Sequence, residues 1–170
     1  MIALLDVGGT KLAAASAVDG RLGAVRRTAT GSHGALQQLT SLLDDVLDGT
    51  RPEAIALSVP GPFDRERGRL LQPPGLAPAW WDLDLAEPLA TRYRCPVLVE
   101  NDANCAALAE AASGAGRGLG LVVYYTVSTG IGTGVVRDGE LEFGRQDTEG
   151  GHQVLWPEWA GGIACHCGGR

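Results

Sequence analysis

The chain has 170 residues, 45% of them hydrophobic and 20% charged, with a mean hydropathy of +0.03. That balance excludes global disorder and gives enough chain for a buried core without disulfide staples. With 14 basic and 20 acidic residues the net charge is −6, so the basic footprint of a nucleic-acid or membrane-surface binder is missing, and no nucleic-acid or membrane partner is expected.

No run reaches the ~18–20 apolar residues of a membrane helix, and the start MIALLDVGG lacks the basic flank of a signal peptide. A cytoplasmic location is expected. The cysteines are Cys95, Cys105, Cys165 and Cys167, too few at this size for a disulfide framework. The 25 glycines are about twice the usual ~7% share, which points to several tight loops.

In chain order, Ile2–Leu5 is an apolar strand running into Asp6 and two glycines. Leu12–Val18 is a second strand, Asp19-Gly20 a hairpin turn, and Arg21–Thr28 the return strand. Leucines and a valine at helical intervals predict a helix over 35–47, stopped by Gly49 and Pro52. Ala54–Val59 is a buried strand, Arg65–Trp81 a proline-rich loop, and Leu85–Arg92 a weak helix. Val97–Val99 leads through Glu100-Asn101-Asp102 into an Ala-rich helix over 103–112, and residues 113–118 read as a linker. Leu119–Val127 is a β-rich run before the loop Ser128–Gly134; Asp138-Gly139 is another hairpin turn, with Glu140–Phe143 returning. Alternating strands and helices argue an α/β fold. A glycine loop, a strand, an Asp-Gly turn and a return strand occur at 6–22 and again at 128–141, which suggests a duplicated unit on each side of a cleft.

Three constellations can carry chemistry. The segment Asp6-Val-Gly8-Gly9-Thr10-Lys11 is either a plain turn or a nest of backbone N–H groups for phosphate. In the second case Thr10 adds a hydroxyl, Lys11 a charge, and Asp6 a ligand for Mg2+. Thr129, Gly130 and Gly132 carry the same two readings, and two such loops in matched hairpins favour a triphosphate held between them. Neither loop has the Walker A or the dinucleotide-binding pattern. Asp102 at a helix start is either a cap for free N–H groups or a general base taking a proton from a substrate hydroxyl as that oxygen attacks phosphorus. Asn101 is then a hydrogen-bonding arm for a polyol. His152, Cys165 and Cys167 suit zinc, which wants four ligands in a structural site; without a fourth they are also ordinary side chains.

Asp6-x-Gly-Gly-Thr-Lys11, Glu100-Asn-Asp-Ala-Asn104, Ser128-Thr-Gly-Ile-Gly132, Glu149-x-Gly-His152 and Cys165-x-Cys-Gly168 follow one another in the order that resembles the ROK family of sugar kinases and sugar-responsive repressors. The resemblance implies an actin-like (ribonuclease H-like) ATPase fold, with one domain at 1–113, a linker at 114–118 and a partial second domain at 119–170. It implies ATP-dependent phosphorylation of a hexose, with Asp102 as base, Asn101, Asp102, Glu149 and His152 on the sugar, and both glycine loops on ATP. Mg2+ near Asp6 and Zn2+ on His152, Cys165 and Cys167 complete the implied cofactors.

The departures define the alternatives. The last residues, Cys165-His-Cys-Gly-Gly-Arg170, stop before the third cysteine of the family's motif, and family members are usually close to twice as long. The missing part would hold the fourth zinc ligand, a further sugar-binding glutamate and the adenine segment. Gln72–Leu76 and Trp80-Trp81 stand where relatives often carry Asn-Leu-Pro and a Trp, and Thr133 stands for a common glycine. A truncated, non-catalytic sugar binder, or a sugar-sensing regulator without its DNA-binding segment, is therefore the alternative. A strand meander after residue 118 without covering helices would expose an apolar face. The expectation is a homo-oligomer through residues 119–170, or a chain that continues past Arg170.

Overall fold

The computed structural model describes residues 1–128, 130–143 and 148–153. By internal packing the chain divides into two compact units, 1–102 and 103–170.

The first unit is built on a six-stranded sheet. Strands β1 (Ile2–Val7) and β2 (Lys11–Val18) form an antiparallel hairpin; β3 (Arg21–Leu22) and β4 (Arg26–Ala29) both pair with β2. The expected single return strand over 21–28 is thus two pieces, separated where the Gly23 N–H donates to the Ser16 carbonyl at 2.7 Å. Helix α1 (Ala35–Leu47) has the bounds its periodicity predicts, burying Ala35, Leu39, Leu42, Leu43 and Leu47 on one face. Asp48 and Gly49 stop it with φ of 45° and 75°.

Strand β5 (Ala54–Val59) lies parallel to β1, and β9 (Val97–Asn101) lies parallel to β5. Ala3, Leu5 and Val7 of β1 and Ile55, Leu57 and Val59 of β5 alternate into one core with the apolar face of α1. Helix α2 (Ala86–Tyr93) adds Leu89 and Tyr93 to that core, and Cys95, just beyond it, is buried too. Burial pushes the Cys95 thiol pKa up, so it stays an inert hydrophobe.

Between β5 and α2 the sequence reads as loop, and the structure corrects this. Residues 63–84 form a small antiparallel sheet of β6 (Phe63–Asp64), β7 (Arg69–Leu70) and β8 (Leu83–Asp84), with a 3-10 turn at Pro78–Trp80. Two-residue strands are too short for a periodicity signal. What holds this excursion is Trp80, 0% exposed, whose indole N–H donates to the Gly31 carbonyl at 2.9 Å.

Helix α3 (Asp102–Ser113) lies, after its first residue, in the second unit and is followed by a meander of β10 (Leu121–Val127), β11 (Ile131–Arg137) and β12 (Glu140–Leu141). The turn between β10 and β11 is shorter than the expected loop over 128–134, because Ile131 already pairs with Val127. One face of this meander is covered: a Cβ built at Gly134 would lie 2.5 Å from the Ala103 carbonyl oxygen of α3. The other face of β10 exposes Leu121, Val123, Tyr125 and Val127. Among the described residues no helix is long and apolar enough to cross a membrane.

Candidate functional site

The three parallel strands β1, β5 and β9 end at the same edge of the first unit's sheet. Their register places Asp6 opposite Ser58 and Ser58 opposite Glu100, with Asn101 and Asp102 immediately beyond. Two strand spacings of ~4.8 Å put Asp6 and Glu100 roughly 10 Å apart. In open α/β sheets the crevice outside the carboxyl ends of parallel strands is where ligands bind. Here that edge carries a carboxylate at each side and a serine between them.

Asp6 is exposed, and its Oδ1 accepts a hydrogen bond from the Ser58 hydroxyl at 2.9 Å. The carboxylate is thus oriented but open to solvent, a suitable single ligand for an ion that keeps most of its waters. Gly8, Gly9 and Thr10 make the β1–β2 turn, closed by the Gly8 N–H donating to the Lys11 carbonyl at 3.0 Å. Lys11 opens β2 and is exposed.

The turn is strapped from two sides. The Thr30 hydroxyl donates to the Gly8 carbonyl at 2.6 Å, and the Thr30 N–H donates to the Thr10 carbonyl at 3.1 Å. A Cβ built at Gly9 would sit 2.6 Å from the Gly75 carbonyl oxygen. Glycine is therefore required at position 9 by close approach of another backbone. Freedom to adopt positive φ, which the sequence argument invoked, is not used there.

Asn101 closes β9, and Asp102, itself exposed, opens α3, whose next two residues, Ala103 and Asn104, are buried. The junction is braced from below. Arg65 donates from Nε to Glu100 Oε2 at 3.1 Å and from Nη2 to Glu100 Oε1 at 2.6 Å. Glu100 Oε1 also accepts the Asn101 N–H at 2.7 Å. Sequence reasoning missed Ser58, Thr30 and Arg65. Ser58 offered a signal, as a hydroxyl near the end of an otherwise apolar strand; the other two lie in segments whose partners are far away in sequence.

The remaining candidates belong to the second unit. Gly130 is open, with nothing near a built Cβ, whereas Gly132 lies within β11, where a Cβ would meet Ala103 at 3.1 Å. Thr129 lies outside the described residues. Glu149 precedes and His152 ends a short 3-10 turn (Gly150–His152), and His152 Nδ1 lies 3.2 Å from Glu149 Oε2. That segment runs beside β11, where the Thr148 hydroxyl donates to the Thr133 carbonyl at 3.3 Å. Cys165 and Cys167 lie outside the described residues. Among the described residues no three metal-ligating side chains come together. A concavity of about 820 Å3 between β4 and α1 is lined by none of the candidate residues.

Comparison with known proteins bears on this arrangement. A family model described as the ROK family matches residues 2–170. A glucokinase of Thermotoga maritima is 37% identical over 142 residues, covering 82% of this chain and 44% of that protein. Among solved structures, a ROK hexokinase from Thermus thermophilus superposes with a TM-score of 0.83 at 38% identity, over 99% of this chain and 57% of that one. A ROK glucokinase from Streptomyces griseus, in complex with glucose and AMPPNP, gives a TM-score of 0.83 at 32% identity, over 99% and 54%. The chain spans about half the length of the curated relatives it matches.

Proposed function

The chain belongs to the ROK family and has its actin-like ATPase fold, and from that premise we propose that the whole protein transfers the γ-phosphoryl group of ATP to a hydroxyl of a hexose. The observation that carries this reading is the row Asp6–Ser58–Glu100 with Asn101 and Asp102 beyond it, all at one edge of three parallel strands.

In this reading Asn101 and Asp102 hold the sugar. Asp102 accepts the proton of the reacting hydroxyl as its oxygen bonds to phosphorus, while the bond from phosphorus to the ADP oxygen breaks and ADP departs. The Gly8–Thr10 turn, with Lys11, Thr129, Gly130 and Gly132, holds phosphate oxygens. Thr30 keeps the first turn in one conformation, so its N–H groups need not reorganise during transfer. Mg2+, held at Asp6, would neutralise charge on the phosphates. Glu149 and His152 are proposed as further sugar contacts. Zinc binding by His152, Cys165 and Cys167 rests on the family motif alone and enters no step. The exposed apolar face of β10 supports self-association through residues 119–170; Val123→Lys with Val127→Lys should lower the mass seen by light scattering, and an unchanged mass would reject it.

The test is coupled ADP release by the purified protein with ATP, Mg2+ and a panel of hexoses, beside Asp102→Asn. Removing a general base should cost about 10²–10⁴-fold in turnover while sugar binding persists. Undiminished turnover in the variant would reject Asp102 as base. Sugar binding with no turnover in either protein would make this chain a non-catalytic sugar binder.

A further inference from the structure

We propose that Arg65 is a positioning residue: by gripping Glu100 it fixes the direction in which Asn101 and Asp102 leave the sheet. The sugar-binding consequence rests on the function proposed above; the geometry of the junction does not.

Among the described residues strand β9 is the last strand of its sheet, so none of their strands holds the backbone on its outer side. At its end the chain turns directly from strand into helix between Asn101 and Asp102. A peptide at such a place is held in one orientation only if something accepts its N–H. For Asn101 that acceptor is the Glu100 carboxylate, at 2.7 Å. A glutamate left to itself prefers to extend into water, and folding back onto the next residue's N–H restricts several rotatable bonds.

Arg65 removes that freedom. Its guanidinium takes both carboxylate oxygens, at 2.6 and 3.1 Å, the forked geometry that a lysine cannot reproduce. Arg65 is itself fixed, with its guanidinium carbon 5.1 Å from the centre of the Phe63 ring, and Phe63 is buried in the small β6–β8 sheet. The residue-63–84 excursion thereby acts as a mount. It carries a cation to the end of β9 and locks, through one shared carboxylate, the peptide that aims Asn101 and Asp102. Both side chains of the ion pair remain partly exposed, at 34% and 20%, so its worth to overall stability is small and its effect local.

The experiment is amide hydrogen exchange by NMR on the full chain, comparing wild type with Arg65→Met, Arg65→Lys and Glu100→Gln, beside calorimetry with D-glucose. Arg65→Met should speed exchange at Asn101 about tenfold or more, the loss of one charge-assisted hydrogen bond, while Val97–Val99 keep their rates. Arg65→Lys should recover part of the protection, and Glu100→Gln should behave like Arg65→Met. Unchanged exchange at Asn101, or equal acceleration along all of β9 with a lowered melting point, overturns the proposal. Where wild type binds glucose, Arg65→Met should weaken binding about tenfold at an unchanged melting point, and unweakened binding overturns the proposal. If wild type binds no glucose, the proposed function loses its support, and the exchange data still decide whether Arg65 holds the junction.

Discussion

The two hairpins β1–β2–β3 and β10–β11–β12 are one device in two settings. Each has two long antiparallel strands, an Asp-Gly turn and a two-residue third strand. The turns match closely, with φ of 49° and 74° at Asp19 and Gly20, and 50° and 88° at Asp138 and Gly139. In the first unit the far side of β1 is taken by β5, and α1 packs beneath, so Leu5 is 3% exposed. In the second, β10 ends its sheet among the described residues, and Val127 is 76% exposed. A local turn specifies a hairpin; whether the hairpin becomes a core depends on what arrives later in the chain.

The comparison can be broken first at its largest contrast. Leu5→Ala should cost about 2–5 kcal/mol, through lost burial and a cavity against α1 and β5, whereas Val123→Ala in β10 should cost less than about 0.5 kcal/mol at dilutions where the chain is unassociated. Urea denaturation measures both, and equal costs would mean that β10 is buried in solution.

Next come the glycines of the second hairpin. Gly134→Val should cost about 1–3 kcal/mol, because the new side chain meets the Ala103 carbonyl and Ala107. Gly130→Ala, in open space, should be close to neutral in the same melts. An equal effect at both would show that the turn, not the helix contact, constrains this strand.

A smaller effect tests the strap that is seen on the first turn. Thr30→Val removes the hydroxyl that reaches the Gly8 carbonyl at 2.6 Å, and should cost about 1 kcal/mol. Faster amide exchange should be confined to residues 8–11.

The smallest concerns the helix pair packed on the first sheet. Tyr93 donates to Asp44 Oδ1 at 2.8 Å, and burial, with Asp44 adding to it against Arg92, raises its pKa from 10.0 to about 12. The fold favours the neutral phenol, so this contribution is complete below pH 10 and is lost as pH rises from 10 towards 12. Tyr93→Phe should cost up to about 1 kcal/mol near neutrality. Its stability should also fall less steeply than wild type across that alkaline window, read from melting points at stepped pH.

Much of this was legible because it is local. Helix α1 announces itself by apolar residues every three or four positions and by Asp48-Gly49 at its end. Both hairpins announce themselves by Asp-Gly. The order of the five family motifs carries the family in the sequence alone. The candidate site was legible only as separate pieces. Asp6 and Asp102 each stood out at the end of a strand, but neither sequence neighbourhood says that Ser58 lies between them. Gly132 and Gly134 read as loop, although they serve strand-to-helix packing. Residues 65–81 read as loop because two-residue strands and a single buried tryptophan leave no period.

The sequence by itself determined the hairpins, the helices and the family, since turn chemistry and side-chain period act within about ten residues. Only the tertiary structure decided the Asp6–Ser58–Glu100 row, the Thr30 strap, the approach of Gly75 to Gly9, and the Arg65 grip on Glu100. Each of those joins residues from 20 to 66 positions apart. Such pairings are set by strand register and core packing together, which no single stretch of the chain encodes.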